Sequence, residues 1–217
     1  MQTTSMELLK ELGRKTNVKL ITISGLDGSG KSTQIQLLKN EIEDAGKKAH
    51  YFHGVDFSIA NILLKKKSTT GNDASKDKGT STTNASWYTI QLRKVALFID
   101  LIRFRLLCRK LQDQGVDYIL SDRYFYDAIV NISYLSKSDY FPFFASMILQ
   151  PNKAFFIAAS PDAIMTRQRT PEQGINYLRE KEHFFELIIN HFDLIVINGE
   201  QPSEYVFNEI NKAIREG

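Results

Sequence analysis

Residues 25–32 read Gly25-Leu26-Asp27-Gly28-Ser29-Gly30-Lys31-Ser32, an unbroken GxxxxGKS, and no other stretch restricts the fold as much. The run before it, 18–25, is short and β-branched and reads as a buried strand. The run after it, 31–45, places Ile35, Leu37, Leu38 and Ile42 at helical spacing, and Gly46 stops it. Strand, glycine-rich turn and helix, in that order, are the setting in which this motif cradles phosphate. Glycines let main-chain N–H groups turn inward on an anion where a β-carbon would clash. The helix beginning at Gly30 adds its positive N-terminal end. Lys31 can reach terminal phosphates, and the Ser32 hydroxyl can ligate Mg²⁺. A ligand-free glycine turn accounts for the glycines but not for Lys-Ser at the required positions.

The rest of the chain alternates in the same way. Apolar runs at 49–53, 116–121, 153–159 and 192–198 read as further strands. Helical patterns fall at about 58–64, 87–114, from about 124, from near 161, at about 177–190 and at 202–215. Strands that are nearly continuous in apolar residues imply a parallel sheet covered on both faces, so the fold class is α/β. Ligands on such sheets bind beyond the carboxyl ends of the strands. The loops after Gly25, His53, Ser121 and Ala159 therefore converge on one cleft.

Composition narrows the function classes. A chain of 217 residues, 42% apolar and 24% charged, suits one domain over 1–217 and excludes wholesale disorder. A net charge of +3 does not mark a nucleic-acid binder. Cys108 is the only cysteine, which excludes an internal disulfide or a cysteine-based zinc site and fits a reducing compartment. The first 16 residues lack an apolar signal core and carry Glu7 and Glu11, so an extra N-terminal helix over 1–16 is expected. The most apolar run, 95–102, is too short for a bilayer span and contains Asp100. A soluble, cytoplasmic protein without a membrane partner is the expectation. Residues 65–86 hold no aliphatic side chain larger than alanine and read as a mobile polar insertion, or else as a lid that orders on substrate.

The motif leaves the kind of triphosphate enzyme open. A GTPase needs an Asn-Lys-x-Asp segment; here Asn211-Lys212 is followed by Ala213-Ile214 in the last helix. Hydrolases commonly end the metal-binding strand in Asp-Glu, whereas strand three here ends Ser121-Asp122-Arg123. Asp122 can hold the Mg²⁺ shell, and an arginine beside it suits clamping phosphates. Arg167 and Arg169 precede the loop Thr170-Pro171-Glu172-Gln173-Gly174, which marks a lid region over 167–178. Two solvated helix arginines are the alternative there.

The sequence GLDGSGKST, the later Ser121-Asp122-Arg123-Tyr124, the short arginine-bearing lid and the Asn-Gly turn after the last strand resemble the thymidylate kinase family, over nearly the whole chain from Val18. The resemblance implies a P-loop three-layer sandwich with a five-stranded parallel sheet, ATP and Mg²⁺ as donor and cofactor, and a nucleoside monophosphate such as dTMP as acceptor. It also implies a homodimer formed through long helices. Carried over by position, the catalytic set is Lys31, Asp27, Asp122, Arg123, Arg167 and Arg169. ATP would be held by Gly25, Gly28, Ser29, Gly30, Lys31, Ser32 and Thr33, with Asn198 and Gly199 beside the adenine and Ser32 and Asp122 on the metal. Asp27 would meet the acceptor sugar or order the reacting phosphates. Arg93, Phe98, Asp127 and Asn131 complete the candidate acceptor side.

Departures from the family concentrate on that side. Where the family has an Arg-Glu-Pro-Gly-like stretch gripping the acceptor phosphate, this chain has His53-Gly54-Val55-Asp56, and His53 reads as a satisfied polar residue at a strand end. Phe98 offers a stacking face, but the polar residue near it is Asp100, with Arg93 and Arg103 on other turns. A carboxylate facing the thymine O4 edge would repel it, at a cost on the order of 1–3 kcal/mol. Asp100 or Asp127 therefore either selects an acceptor bearing amino or hydroxyl groups, or caps a helix or pairs with Arg103 or Arg123. Three functions remain in view: a nucleoside monophosphate kinase; a kinase of a neutral hydroxyl with Asp27 as base; and an ATP-binding protein that has lost catalysis.

Overall fold

The computed structural model describes residues 17–63, 86–167 and 170–216. Its central strand, β1 (Lys19–Gly25), exposes only Lys19 and buries the six residues that follow. Such a strand needs cover on both faces and a neighbour on each edge. β2 (Ala49–His53), β3 (Tyr118–Asp122), β4 (Lys153–Ala158) and β5 (Ile195–Asn198) complete a five-stranded, all-parallel sheet in the order β2-β3-β1-β4-β5. The strand order turns around β1, which lies between β3 and β4, so the crevice at their carboxyl ends is where a ligand fits.

The helices are α1 (Lys31–Asp44), α2 (Gly54–Phe57), α3 (Trp87–Asp113), α4 (Phe125–Ser136), α5 (Pro161–Met165), α6 (Gly174–Phe192) and α7 (Ser203–Arg215). The two-residue period of each strand sends alternate side chains to opposite faces. Ile21, Ile23, Leu120, Phe155 and Ile157 meet Ile35 and Leu38 of α1 and Val206 and Ile210 of α7. Leu20, Ile119, Phe52 and Phe156 meet Leu101 and Phe104 of α3, Ile129 of α4 and Phe185 of α6. This is the α/β three-layer sandwich that the alternation implied. Each such side chain is worth about 1.5–3 kcal/mol when buried. Phe104, fully buried, sets its ring 4.7 Å from Phe52, 5.6 Å from Tyr124 and 5.3 Å from Phe125. It thereby ties the long helix to β2 and to the turn that carries Asp122 and Arg123.

Several boundaries move. β5 begins at Ile195 rather than at 192, because α6 runs through Phe192 and stops on a left-handed Asp193 with φ 52°. α6 starts at Gly174 instead of about 177, so part of the expected lid region is helical. The helix expected near 58–64 is α2 followed by a second helical segment at 59–63, divided by an extended Ser58. The Ile59 N–H donates to Asp100 Oδ2 at 3.1 Å, so a carboxylate from α3 caps that second segment. The expected helix over 1–16 and all of the expected insertion except Ser86 lie outside the described residues. Among those described, no helix is long and apolar enough to cross a membrane.

Candidate active site

The turn from β1 into α1 is a cradle that only glycine permits at its ends. Gly25 has φ 151°, and a β-carbon there would stand 2.8 Å from the Ile157 carbonyl oxygen and 2.8 Å from Ser29 Oγ. Gly30, which precedes α1, is left-handed with φ 104°. Ser29 N–H donates to the Leu26 carbonyl at 3.1 Å, and Lys31 Nζ arches back to the same oxygen at 2.7 Å. Lys31 is only 4% exposed; burial lowers its pKa, while Asp127 and Asp122 pull it back up. Ser29 Oγ is buried with no hydrogen-bond partner among the described residues, an orphan inside the loop. A turn that requires glycine at 25 by space and at 30 by its backbone, with a buried ammonium and an unpaired hydroxyl inside, fits the phosphates of ATP.

Ser32 begins the exposed side of α1, and its Oγ donates to Asp122 Oδ2 at 2.6 Å. Asp122 ends β3 opposite Ile23, so strand pairing itself sets this distance. Among the described residues, no three His, Cys, Asp or Glu side chains cluster as a metal site. One carboxylate and one hydroxyl leave most of a cation's shell to phosphates and water, which is how Mg²⁺ prefers to be held. The pair therefore fits that ion. Tyr51, which the sequence reading passed over, also donates to Asp122 Oδ2, at 3.2 Å. Burial and the Asp122 charge push the phenol up to about 12. The clue was present: Tyr51 lies two positions before His53, on the same face of β2.

Asp27 is the hub of the cleft. One carboxylate oxygen pairs with the Arg123 guanidinium, and the other accepts from Tyr177 OH at 2.8 Å. Lys181 Nζ stands 4.0 Å from that second oxygen. Arg123 takes an unusual left-handed backbone, φ 62°, and its N–H donates to Ile23 O at 3.2 Å. Arg167, just past α5, donates to Gly28 O at 2.5 Å and to Gly199 O at 2.7 Å. Thus Asp27, Lys31, Ser32, Asp122, Arg123 and Arg167 stand around one cleft, while Arg169 lies outside the described residues.

A cavity of about 350 Å³ opens beside this cluster, lined by Ser29, Gly30, Thr33, Arg167, Gly199 and Glu200, and also by Gln34, Gln201, Ser203 and Val206. Gly199 is again sterically required: a β-carbon there would stand 2.3 Å from Ile157 Cγ2. Asn198 does not line the cavity. Its Oδ1 accepts the Glu200 N–H at 3.0 Å and shapes the turn, while Glu200 accepts from the Ser160 N–H and hydroxyl at 2.9 and 2.7 Å. Gln34, three residues after Lys31 on the same face of α1, reaches Ser203 of α7 and closes the cavity floor.

On the other side of the cleft the two open carboxylates have structural partners. Asp100 accepts from Arg103 at 2.6 Å besides capping the 59–63 segment; burial raises its pKa and Arg103 opposes the rise. Asp127 Oδ2 accepts from Ser24 Oγ at 2.6 Å and from the Tyr124 N–H at 3.1 Å, closing a capping box on α4. Its Oδ1 is buried with no hydrogen bond among the described residues, 4.0 Å from Arg123 Nη1. Burial raises the Asp127 pKa against the pull of Arg123 and Lys31. Arg93 donates to Asn61 Oδ1 at 3.0 Å, and its buried Nε has no partner among the described residues. Phe98 is 36% exposed and packs edge-on against Phe144 at 5.3 Å; Asn131 is half-buried, one turn after Asp127 on α4. His53 pairs with Asp56 at 2.7 Å, the satisfied strand-end residue that the sequence suggested. Lys181, four residues after Tyr177 on α6, was not singled out, because a lysine in an amphipathic helix ordinarily marks the solvated face.

No protein-family profile matches this sequence, and no curated protein matches it. Solved structures do match. The thymidylate kinase of Candida albicans, described as showing the origin of a broad substrate specificity, aligns over 94% of this chain and 93% of its own, with a TM-score of 0.65 and 16% identity. At that identity the likeness speaks for architecture alone: this chain shares that structure's α/β fold, with its own glycine-rich turn at the carboxyl edge of the central strand.

Proposed function

We propose that this protein is an ATP-dependent phosphotransferase of thymidylate kinase type that moves the γ-phosphoryl group to a nucleoside monophosphate, dTMP or a related nucleotide. The observation that carries the reading is the 2.6 Å contact between Ser32 Oγ and Asp122 Oδ2, at the foot of a loop roofed by Lys31. Two oxygens suited to one Mg²⁺ lie beside the loop, where they would hold the ion against the phosphates of a bound nucleotide. When bound there, Mg²⁺ would neutralise phosphate charge. The main-chain N–H groups of 28–32 hold the phosphates, and Lys31 leaves the Leu26 carbonyl for their terminal oxygens. Arg123 and Arg167 face the cleft from opposite sides and offset charge that spreads over the transferred group. The 350 Å³ cavity at Gly199 and Arg167 suits the adenosine. Asp27 holds Arg123 in place and can accept a hydrogen bond from an acceptor sugar.

A neutral-hydroxyl acceptor would need Asp27 as a base. Asp27 already has a positioning task, holding Arg123 and Tyr177, and a monophosphate acceptor leaves that task undisturbed, which favours the monophosphate. A monophosphate is ionised near neutral pH and needs no base. The implied homodimer has support in one face of α3, where Tyr88, Leu92, Val95 and Ile99 are exposed by 78, 40, 57 and 39% at helical spacing.

The test is ADP production by the purified chain with MgATP against a panel of nucleoside monophosphates, nucleosides and sugars. Turnover with at least one monophosphate, lost in Lys31→Ala, is the expected result. Tight ATP binding with silence on every acceptor would mean a nucleotide-binding protein without catalysis, and turnover untouched by Lys31→Ala would remove the reading altogether.

A further inference from the structure

Lys181 is a buried charge of the cleft to which the phosphate loop and the metal pair give no task. It is only 6% exposed, and the carboxylate oxygen with which its ammonium pairs, Asp27 Oδ2, lies 4.0 Å away, beyond hydrogen-bond distance. What faces it comes from six places in the fold, its own helix included. Asp27 of the phosphate loop stands 4.0 Å away, but Arg123 and Tyr177 already engage both its oxygens. The Tyr177 ring on the same helix lies 4.7 Å below the ammonium. Lys31 of α1, Arg93 of α3 and Arg123 of the turn after β3 repel it, and Asp127 of α4 attracts it. Burying a cation among cations is costly unless an anion arrives to satisfy it. Arg93, whose buried Nε has no partner among the described residues, points to the same deficit.

We propose that Lys181 is a specificity-determining residue of the acceptor site: with Arg123 and Arg93 it seats the phosphate of a phosphomonoester acceptor and favours that acceptor over its neutral parent. This rests on the phosphotransferase reading for the site's purpose, and it gives α6 the task that the sequence leaves vacant at His53-Gly54-Val55-Asp56. An incoming phosphate dianion supplies an acceptor within hydrogen-bond distance of the ammonium. It also holds the proton on Lys181. Burial, first, and then the repulsion of Arg123 bring the free ammonium down to about 7. Above that pH the free site is largely neutral, so phosphate binding takes up a proton, approaching about one per ligand near pH 8. Acceptor affinity therefore falls as pH rises through 8 and 9, by up to about tenfold per unit.

The experiment is calorimetry on the full chain with MgADP, at pH 8, in two buffers of different ionisation enthalpy. The probes are the common nucleoside 5′-monophosphates and their parent nucleosides. The expected result is monophosphate binding with proton uptake, and much weaker binding of the matched nucleoside. In Lys181→Met and Lys181→Gln the uptake vanishes and the acceptor dissociation constant and KM rise roughly 10- to 100-fold, with the KM for ATP little changed. Lys181→Arg keeps affinity but takes up no proton, and melting curves confirm that each variant folds. Three results overturn the proposal: binding without uptake that the variants leave unchanged, nucleosides binding as tightly as monophosphates, or no monophosphate binding at all. Monophosphate turnover indifferent to Lys181→Met removes this seat and leaves the phosphotransferase reading intact. Binding with proton uptake but no ADP production keeps the seat and removes that reading.

Discussion

A β-carbon on Gly54 would stand 2.1 Å from the carbonyl oxygen of Arg123, so the start of α2 lies directly against the turn that aims the guanidinium at Asp27. Arg123 holds a left-handed backbone that a residue with a β-carbon rarely adopts. The neighbouring glycine helps to hold it there. Gly54→Ala should therefore cost about 1–3 kcal/mol of stability through overpacking. It should also lower kcat more than it weakens ATP binding, since it displaces Arg123 rather than the phosphate loop. A melting curve with steady-state kinetics checks both, and an unchanged Tm would mean that the contact is relieved elsewhere.

Asp122 receives hydrogen bonds from both Ser32 and Tyr51. Asp122→Asn should lower kcat by about 10²-fold or more, as loss of a charge at the phosphates does. Tyr51→Phe removes only an orienting bond worth about 0.5–1.5 kcal/mol. Its expected signature is a rise in the Mg²⁺ concentration giving half-maximal rate, by up to about tenfold, with kcat at saturating Mg²⁺ preserved.

Arg167 joins the phosphate loop to the turn at Gly199 through two carbonyls, on the cavity side of the cleft. Arg167→Ala should weaken ATP binding roughly tenfold and lower kcat, while the acceptor KM stays within about twofold. Fluorescent-nucleotide binding together with kinetics separates the two effects.

Lys181 also makes a pH prediction for stability. Its folded pKa of about 7 lies below the ordinary lysine value of 10.5. Between these values the unfolded chain binds more protons than the folded one, so this residue makes stability rise with pH from about 7 to about 10. Below pH 7 both states carry the proton and the whole penalty of burying it remains. Lys181→Met should therefore melt higher than the parent chain, by a margin that is greatest below pH 7 and shrinks as pH rises. A margin constant from pH 6 to 9 would show that the ammonium does not titrate in that range.

The glycine-rich loop could be read without a structure because its pattern is local. Eight consecutive residues carry the glycines, the ammonium and the hydroxyl, and strand and helix periodicity on either side declare their own setting. The same locality made the five strands and the long helix visible, since burial on both faces leaves continuous apolar runs. Boundaries slipped where a neighbour in space governs them, as at Ser58, where a carboxylate 42 positions along the chain caps the segment that restarts at Ser58-Ile59.

The cleft beyond the loop is assembled from distant parts of the chain. Asp100 and Asp127 looked alike as sequence, each a lone acid near a pocket; folding gives the one Arg103 and Ile59 as partners and the other Ser24 and Tyr124. Lys181 and Tyr177 converge on Asp27 although about 150 residues separate them. Amino-acid order alone was enough to call for a parallel sheet with a phosphate cradle, because periodicity and a contiguous motif act over a few residues. Which charges gather across the cleft from the loop emerged only on folding, because electrostatic and packing energies depend on distance through space and not on separation along the chain.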